Sequence, residues 1–111
     1  MDIIHTKNFD NTLKKLKSHH KEYNNFFNIL DIIEHARDFK VLTNLPQCKM
    51  FNFERLKYDK SEYYSFNLSK SRGVIRLIVK PVDDNSVELY LIMISYNHYE
   101  DFDPRKVIFY E

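Results

Sequence analysis

The 111-residue chain is poor in the residues that break, brace or cross-link a backbone. Its one cysteine, Cys48, excludes an internal disulfide and a cysteine-based metal site. One glycine and three prolines exclude collagen-like and low-complexity architectures and predict few sharp backbone turns. No apolar run approaches the ~20 residues of a membrane span. The opening Met1-Asp2-Ile3-Ile4-His5 also lacks the long apolar stretch of a signal peptide. These absences point to a soluble protein of a reducing compartment, cytoplasmic, with no membrane partner. What is present is core material, 43% hydrophobic residues with eight Tyr and nine Phe. That suffices for one small domain over 1–111 and excludes a disordered tail.

Charge is nearly balanced, 17 Lys+Arg against 16 Asp+Glu, so a generic polyanion binder is not implied. Its distribution is uneven. Residues 49–80 hold eight basic side chains against three acidic, and residues 81–111 hold two against seven. A local basic stretch can grip a phosphate backbone while the overall pI stays modest. Solvated lysines and arginines on strands would give the same count.

Residues 2–6 read as a short β-branched strand. Asn8 or Asp10 can cap a helix carrying Phe9, Leu13 and Leu16, with Lys14, Lys15 and Lys17 near its C-terminal end. Ser18-His19-His20 marks a break. From about 20 to 39, Tyr23, Phe26, Phe27, Leu30 and Ile33 form the apolar stripe of a longer helix. On it Asp31 and His35 stand at i,i+4 and could formally share a metal. No third ligand stands at a supporting spacing, so a surface hydrogen bond or ion pair is expected and no metal site is assigned. Residues 40–48 read as a connection in which Pro46 excludes a regular helix.

Beyond Met50 the period changes to two. Strands are predicted at 50–57, 62–69, 74–80 and 86–95, with short connections that favour antiparallel pairing. The class is therefore α+β, with two N-terminal helices packed on one face of an antiparallel sheet of four to five strands. Alternation places Ile75, Leu77 and Val79 on the helix side, to be buried with Phe26, Leu30 and Ile33. Arg76, Ile78 and Lys80 then share the other, uncovered face. Arg55 and Lys57 share one strand face beside Phe51 and Phe53, and the last strand runs out into Ser95-Tyr96-Asn97-His98-Tyr99-Glu100-Asp101. Functional groups often stand at such strand ends. Lysine, arginine, histidine and tyrosine together on a concave sheet suit a phosphodiester substrate without a metal.

In order and spacing, several segments resemble the RelE/ParE toxin superfamily, nearest its RelE-, YoeB- and HigB-type ribosome-dependent mRNA interferases. They are Phe9-x3-Leu13-Lys14-Lys15-Leu16, Phe53-Glu54-Arg55-Leu56-Lys57, Tyr64-Ser65-Phe66-Asn67-Leu68, Ile75-Arg76-Leu77-Ile78-Val79-Lys80 and Asn97-His98-Tyr99-Glu100-Asp101-Phe102. The resemblance implies the toxin of a type II toxin–antitoxin system, an endoribonuclease cutting mRNA in the ribosomal A site. There the RNA 2′-hydroxyl attacks its own phosphate to leave a 2′,3′-cyclic phosphate, with no cofactor and no metal. Arg76 matches the mid-strand arginine that stabilises the developing charge. His98 and Tyr99 match a general acid and a nucleotide-contacting tyrosine, and Lys57 matches a groove lysine. Arg55, Lys70, Arg72 and Lys80 are the expected further RNA-binding cations. The general base stays open, Glu54 and Glu62 being the nearest acidic candidates. Implied partners are a cognate antitoxin, the ribosome and mRNA, with oligomers only through the antitoxin. The alternative on the same fold is a non-catalytic protein, either a ParE-like gyrase inhibitor or a degenerate toxin acting as an interaction module.

Overall fold

In the computed structural model, which describes residues 1–70, 73–83 and 86–109, the chain starts on strand β1 (Asp2–His5). Helix α1 (Lys7–Leu16) follows without a linker because Thr6 does two jobs. Its Oγ1 accepts the Phe9 amide at 3.0 Å as the N-cap and donates to the Ile92 carbonyl at 2.8 Å. The cap is thus Thr6, two residues ahead of the expected Asn8 and four ahead of Asp10.

Helix α2 (His20–His35) buries Phe26, Ile29 and Ile33, and Leu30 packs half-buried against the same core. It ends four residues before the predicted 39. Ala36 is extended, and Asp38 Oδ1 accepts the Val41 amide at 2.9 Å to cap a new short helix, α3 (Phe39–Thr43). Pro46 then opens helix α4 (Pro46–Met50), which corrects the expectation that it excludes one. A proline at the first helical position gives up only an amide with no intrahelical partner. Asp31 and His35 lie 3.3 Å apart on the exposed face of α2, the expected surface contact.

The remaining strands are β2 (Glu54–Arg55), β3 (Tyr64–Asn67), β4 (Arg76–Pro81) and β5 (Glu88–Ser95). They make one five-stranded sheet in the order β1-β5-β4-β3-β2. Neighbours are antiparallel except β1, which runs parallel to β5. The predicted strand over 50–57 shrinks to two residues because α4 occupies Met50 and Asn52 adopts φ +50°. Phe53 consequently turns into the helix-side core, its ring 4.5 Å from that of Phe66, while Arg55 is exposed. No helix among the described residues is long and apolar enough to cross a membrane.

Alternation holds along β4. Ile75, Leu77 and Val79 are buried among the helices, and Ile78 lies on the far side. A bulge in β5 adds to that far side. Ile78 faces Met93 while Val79 faces Leu91, so Ile92 is passed over and both Ile92 and Met93 turn away from the helices. They bury Leu56, Tyr63 and Phe102 with Ile78 in a second core, flanked by Tyr99, Val107 and Phe109. The far face is therefore largely covered, which corrects the expectation of an open sheet. The apolar side chains of 99–109 fold back because β4 and β5 present them with an apolar surface.

Cys48 is buried beneath α3, its Sγ donating to the Leu42 carbonyl at 3.2 Å, and burial pushes the thiol up to about 11. The native chain should accordingly resist iodoacetamide at pH 8 and react rapidly in denaturant, as mass spectrometry would read. Because folding raises this pKa, the thiol favours the unfolded chain only above about pH 9. Rapid native labelling at pH 8 would contradict the burial.

Candidate functional site

A chain with one glycine must bend elsewhere. Five side-chain-bearing residues among those described take left-handed backbone, namely Asn52, Tyr58, Lys70, His98 and Tyr99. Each such residue costs of order 1–3 kcal/mol and persists only where its surroundings enforce it. Two are adjacent, His98 at φ +57° and Tyr99 at φ +75°. The turn after β5 that holds them is a hydrogen-bonded knot. Ser95 Oγ donates to Asp101 Oδ1 at 2.6 Å and accepts the Tyr99 amide at 2.9 Å, while Asn97 Oδ1 accepts the Asp101 amide at 2.9 Å. The His98 amide donates to the Val74 carbonyl at 3.2 Å, tying the turn to the entry of β4.

This turn is one wall of a cavity of about 410 Å³. His98, Tyr99 and Glu100 line it from one side; Glu54, Arg55, Lys57 and Lys60 line it from β2 and the loop beyond. Lys60 bridges the walls, its Nζ donating to the Tyr99 carbonyl at 3.3 Å. The Tyr99 hydroxyl lies 2.6 Å from Ser65 Oγ and 3.4 Å from Glu54 Oε1. Burial pushes that hydroxyl above the usual tyrosine range, partly offset by the Ser65 hydrogen bond and the Arg76 charge. It is therefore a neutral donor at physiological pH. The His98 and Tyr99 rings lie 4.8 Å apart.

Arg76 is placed differently from its partners. It is 8% exposed and does not line the cavity; its guanidinium carbon stands 6.0 Å from the Tyr99 ring centre. Nη1 donates to the Gly73 carbonyl at 2.8 Å. Gly73 holds φ +104°, which strains any side-chain-bearing residue, and a Cβ there would also push the Ser69 hydroxyl, 2.7 Å away, aside. The one glycine thus shapes the turn that holds the guanidinium.

Of the predicted site residues, Lys57, His98, Tyr99 and Arg55 share the cavity, with Arg76 behind Tyr99. Lys70 and Lys80 lie elsewhere. Lys70 Nζ covers the Phe51 ring at 5.6 Å, and Lys80 Nζ covers the Phe109 ring at 5.7 Å. Arg72 lies outside the described residues. Sequence reasoning missed Ser65, Lys60 and the Ser95–Asn97–Asp101 knot, and left Glu54 unresolved from Glu62. The polar run Ser95–Asp101 at the end of an apolar strand was the only local signal, since Ser, Asn and Asp side chains readily bond nearby backbone in turns. A larger cavity, about 980 Å³, opens between Thr6, Asn8, Met93, Phe102 and Ile108 and holds none of the predicted site residues.

No protein-family model and no curated protein matches the sequence. Solved structures do match the fold. The Escherichia coli DinJ–YafQ complex contains a chain with 18% identity and TM-score 0.61, covering 92% of this chain and 98% of that one. The YoeB dimer of Staphylococcus aureus gives 19% identity and TM-score 0.57 over 87% and 97% of the two chains. A YoeB/ParE toxin of Agrobacterium tumefaciens gives 17% and 0.57 over 87% and 99%. At such identities the likeness is one of architecture, and the chain has the fold of the RelE/YoeB-type toxins.

Proposed function

We propose that the protein is the toxin of a type II toxin–antitoxin pair and acts as a ribosome-dependent endoribonuclease on mRNA in the A site. The observation that carries this reading is one cavity lined by Glu54, Lys57, His98 and Tyr99, with the Arg76 cation behind it. Cleavage of RNA by its own 2′-hydroxyl needs a base, an acid and cations, and these side chains supply each. The Glu54 carboxylate takes the 2′ proton as the O2′–P bond forms. Lys57 and Arg76 oppose the charge that grows on the non-bridging oxygens. His98 gives a proton to the departing 5′ oxygen, leaving a 2′,3′-cyclic phosphate and a 5′-hydroxyl. Tyr99, donating to Glu54, orients the base. Glu62 is exposed and absent from the cavity lining, which favours Glu54.

The solved complex of YafQ with DinJ supports a cognate antitoxin for this chain as well. The burial of Arg76 favours a second reading, a non-catalytic interaction module in which that arginine only braces the turn. Purified protein added to a translating extract separates the two. Cuts at A-site codons ending in 2′,3′-cyclic phosphate are expected, and mRNA left intact would favour the second reading.

A further inference from the structure

Tyr58 does not line the cavity itself but belongs to the loop at its rim, following Lys57 and followed by Asp59 and Lys60, and both lysines line it. It is 90% exposed, the most exposed of the large apolar or aromatic side chains described. It also holds φ +60° at the first residue of the turn Tyr58–Lys60, where a bulky aromatic is an outlier. Its carbonyl accepts the Ser61 amide at 3.1 Å, so the strained backbone is part of the loop's own hydrogen bonding. The ring, by contrast, packs in neither core and stacks on no other ring among the described residues. Glycine would fit this backbone without strain, so the loop carries a tyrosine there at a cost in stability.

We infer that Tyr58 is a stacking platform for a nucleobase of the bound RNA. The inference rests on the ribonuclease reading and adds a contact that the chemistry does not use. An exposed aromatic between two lysines has the makeup of single-strand recognition, the ring meeting a base face and the ammonium groups meeting adjacent phosphates. The left-handed backbone fixes where the ring projects, and Lys60, anchored on the Tyr99 carbonyl, fixes the loop against the turn that bears His98. A base held on Tyr58 thereby brings its neighbouring phosphate toward the cavity.

The test is cleavage of an A-site codon on programmed ribosomes by the parent and three variants, with the thermal midpoint of each measured alongside. Tyr58→Phe should cleave within twofold of the parent. Tyr58→Leu and Tyr58→Gly should each lose about tenfold or more in kcat/KM, mainly through KM, because stacking binds the strand without taking part in bond making. The glycine variant should melt at or above the parent's midpoint, which a purely structural tyrosine would not allow. Leu and Gly variants as efficient as the parent overturn the inference, as does a Phe variant as impaired as Leu, which would make the hydroxyl the contact. A parent that cuts no mRNA overturns the ribonuclease reading itself, and this inference with it.

Discussion

Arg76→Ala is expected to slow mRNA cleavage on the ribosome by about a hundredfold or more while leaving the chain folded. Among the described residues the guanidinium is the strand-borne cation behind the cavity, and burial under Tyr99 strengthens its field there. Two magnitudes separate two ways of acting. A unit charge acting from about 8 Å through an effective dielectric of ~20 is worth about 2 kcal/mol, roughly thirtyfold in rate. Direct hydrogen bonding to two phosphate oxygens is worth more, and only a fork-shaped group can do it. Arg76→Lys therefore decides between them. Recovery to near the parental rate means the charge acts across the Tyr99 ring; partial recovery means the ring moves aside and the fork meets phosphate. Single-turnover rates on programmed ribosomes give both numbers, and circular dichroism checks the fold. An Arg76→Ala variant that cuts at the parental rate would remove Arg76 from the chemistry.

Removing either proton-transfer group should cost about as much, on the order of 10²–10⁴-fold. Glu54→Gln keeps the shape and the contact with the Tyr99 hydroxyl but cannot accept a proton. His98→Gln keeps a polar side chain at an exposed position but cannot donate one at the leaving oxygen. Their pH–rate profiles should differ in a diagnostic way. The glutamine at 54 should flatten the acid limb, where a general base becomes protonated, and the glutamine at 98 the alkaline limb, where a general acid loses its proton. Tyr99 does not confuse the second limb, since burial keeps its hydroxyl protonated beyond the usual tyrosine range. Ribosome binding, followed by co-sedimentation, should change little in either variant. Profiles with both limbs intact would reassign the base and the acid, with Lys57 next in line as the base.

Periodicity alone revealed the two long helices, three of the four strands beyond Met50 and which side of β4 faces the helices; the strand expected over 50–57 survives only as Glu54–Arg55. Those features depend on side chains a few positions apart on one element, and spacing records that directly. The grouping of Lys57 with His98 and Tyr99 in one cavity was also legible, because short motifs resemble those of the RelE/YoeB-type toxins in their order along the chain. Three features were not. Helices α3 and α4 are single turns that depend on the Asp38 cap, on Pro46 and on burial of Phe39 and Leu42, with no amphipathic period long enough to read. The covering of the far sheet face depends on a bulge that turns Ile92 and Met93 to the same side, so strict alternation misplaces one residue of the pair. That Glu54 lines the cavity while Glu62, Lys70 and Lys80 do not depends on the approach of β2 to the turn after β5. Those segments are more than forty residues apart in the chain. Which charges meet across such a gap depends on the packing of both cores, and tertiary structure alone decided it.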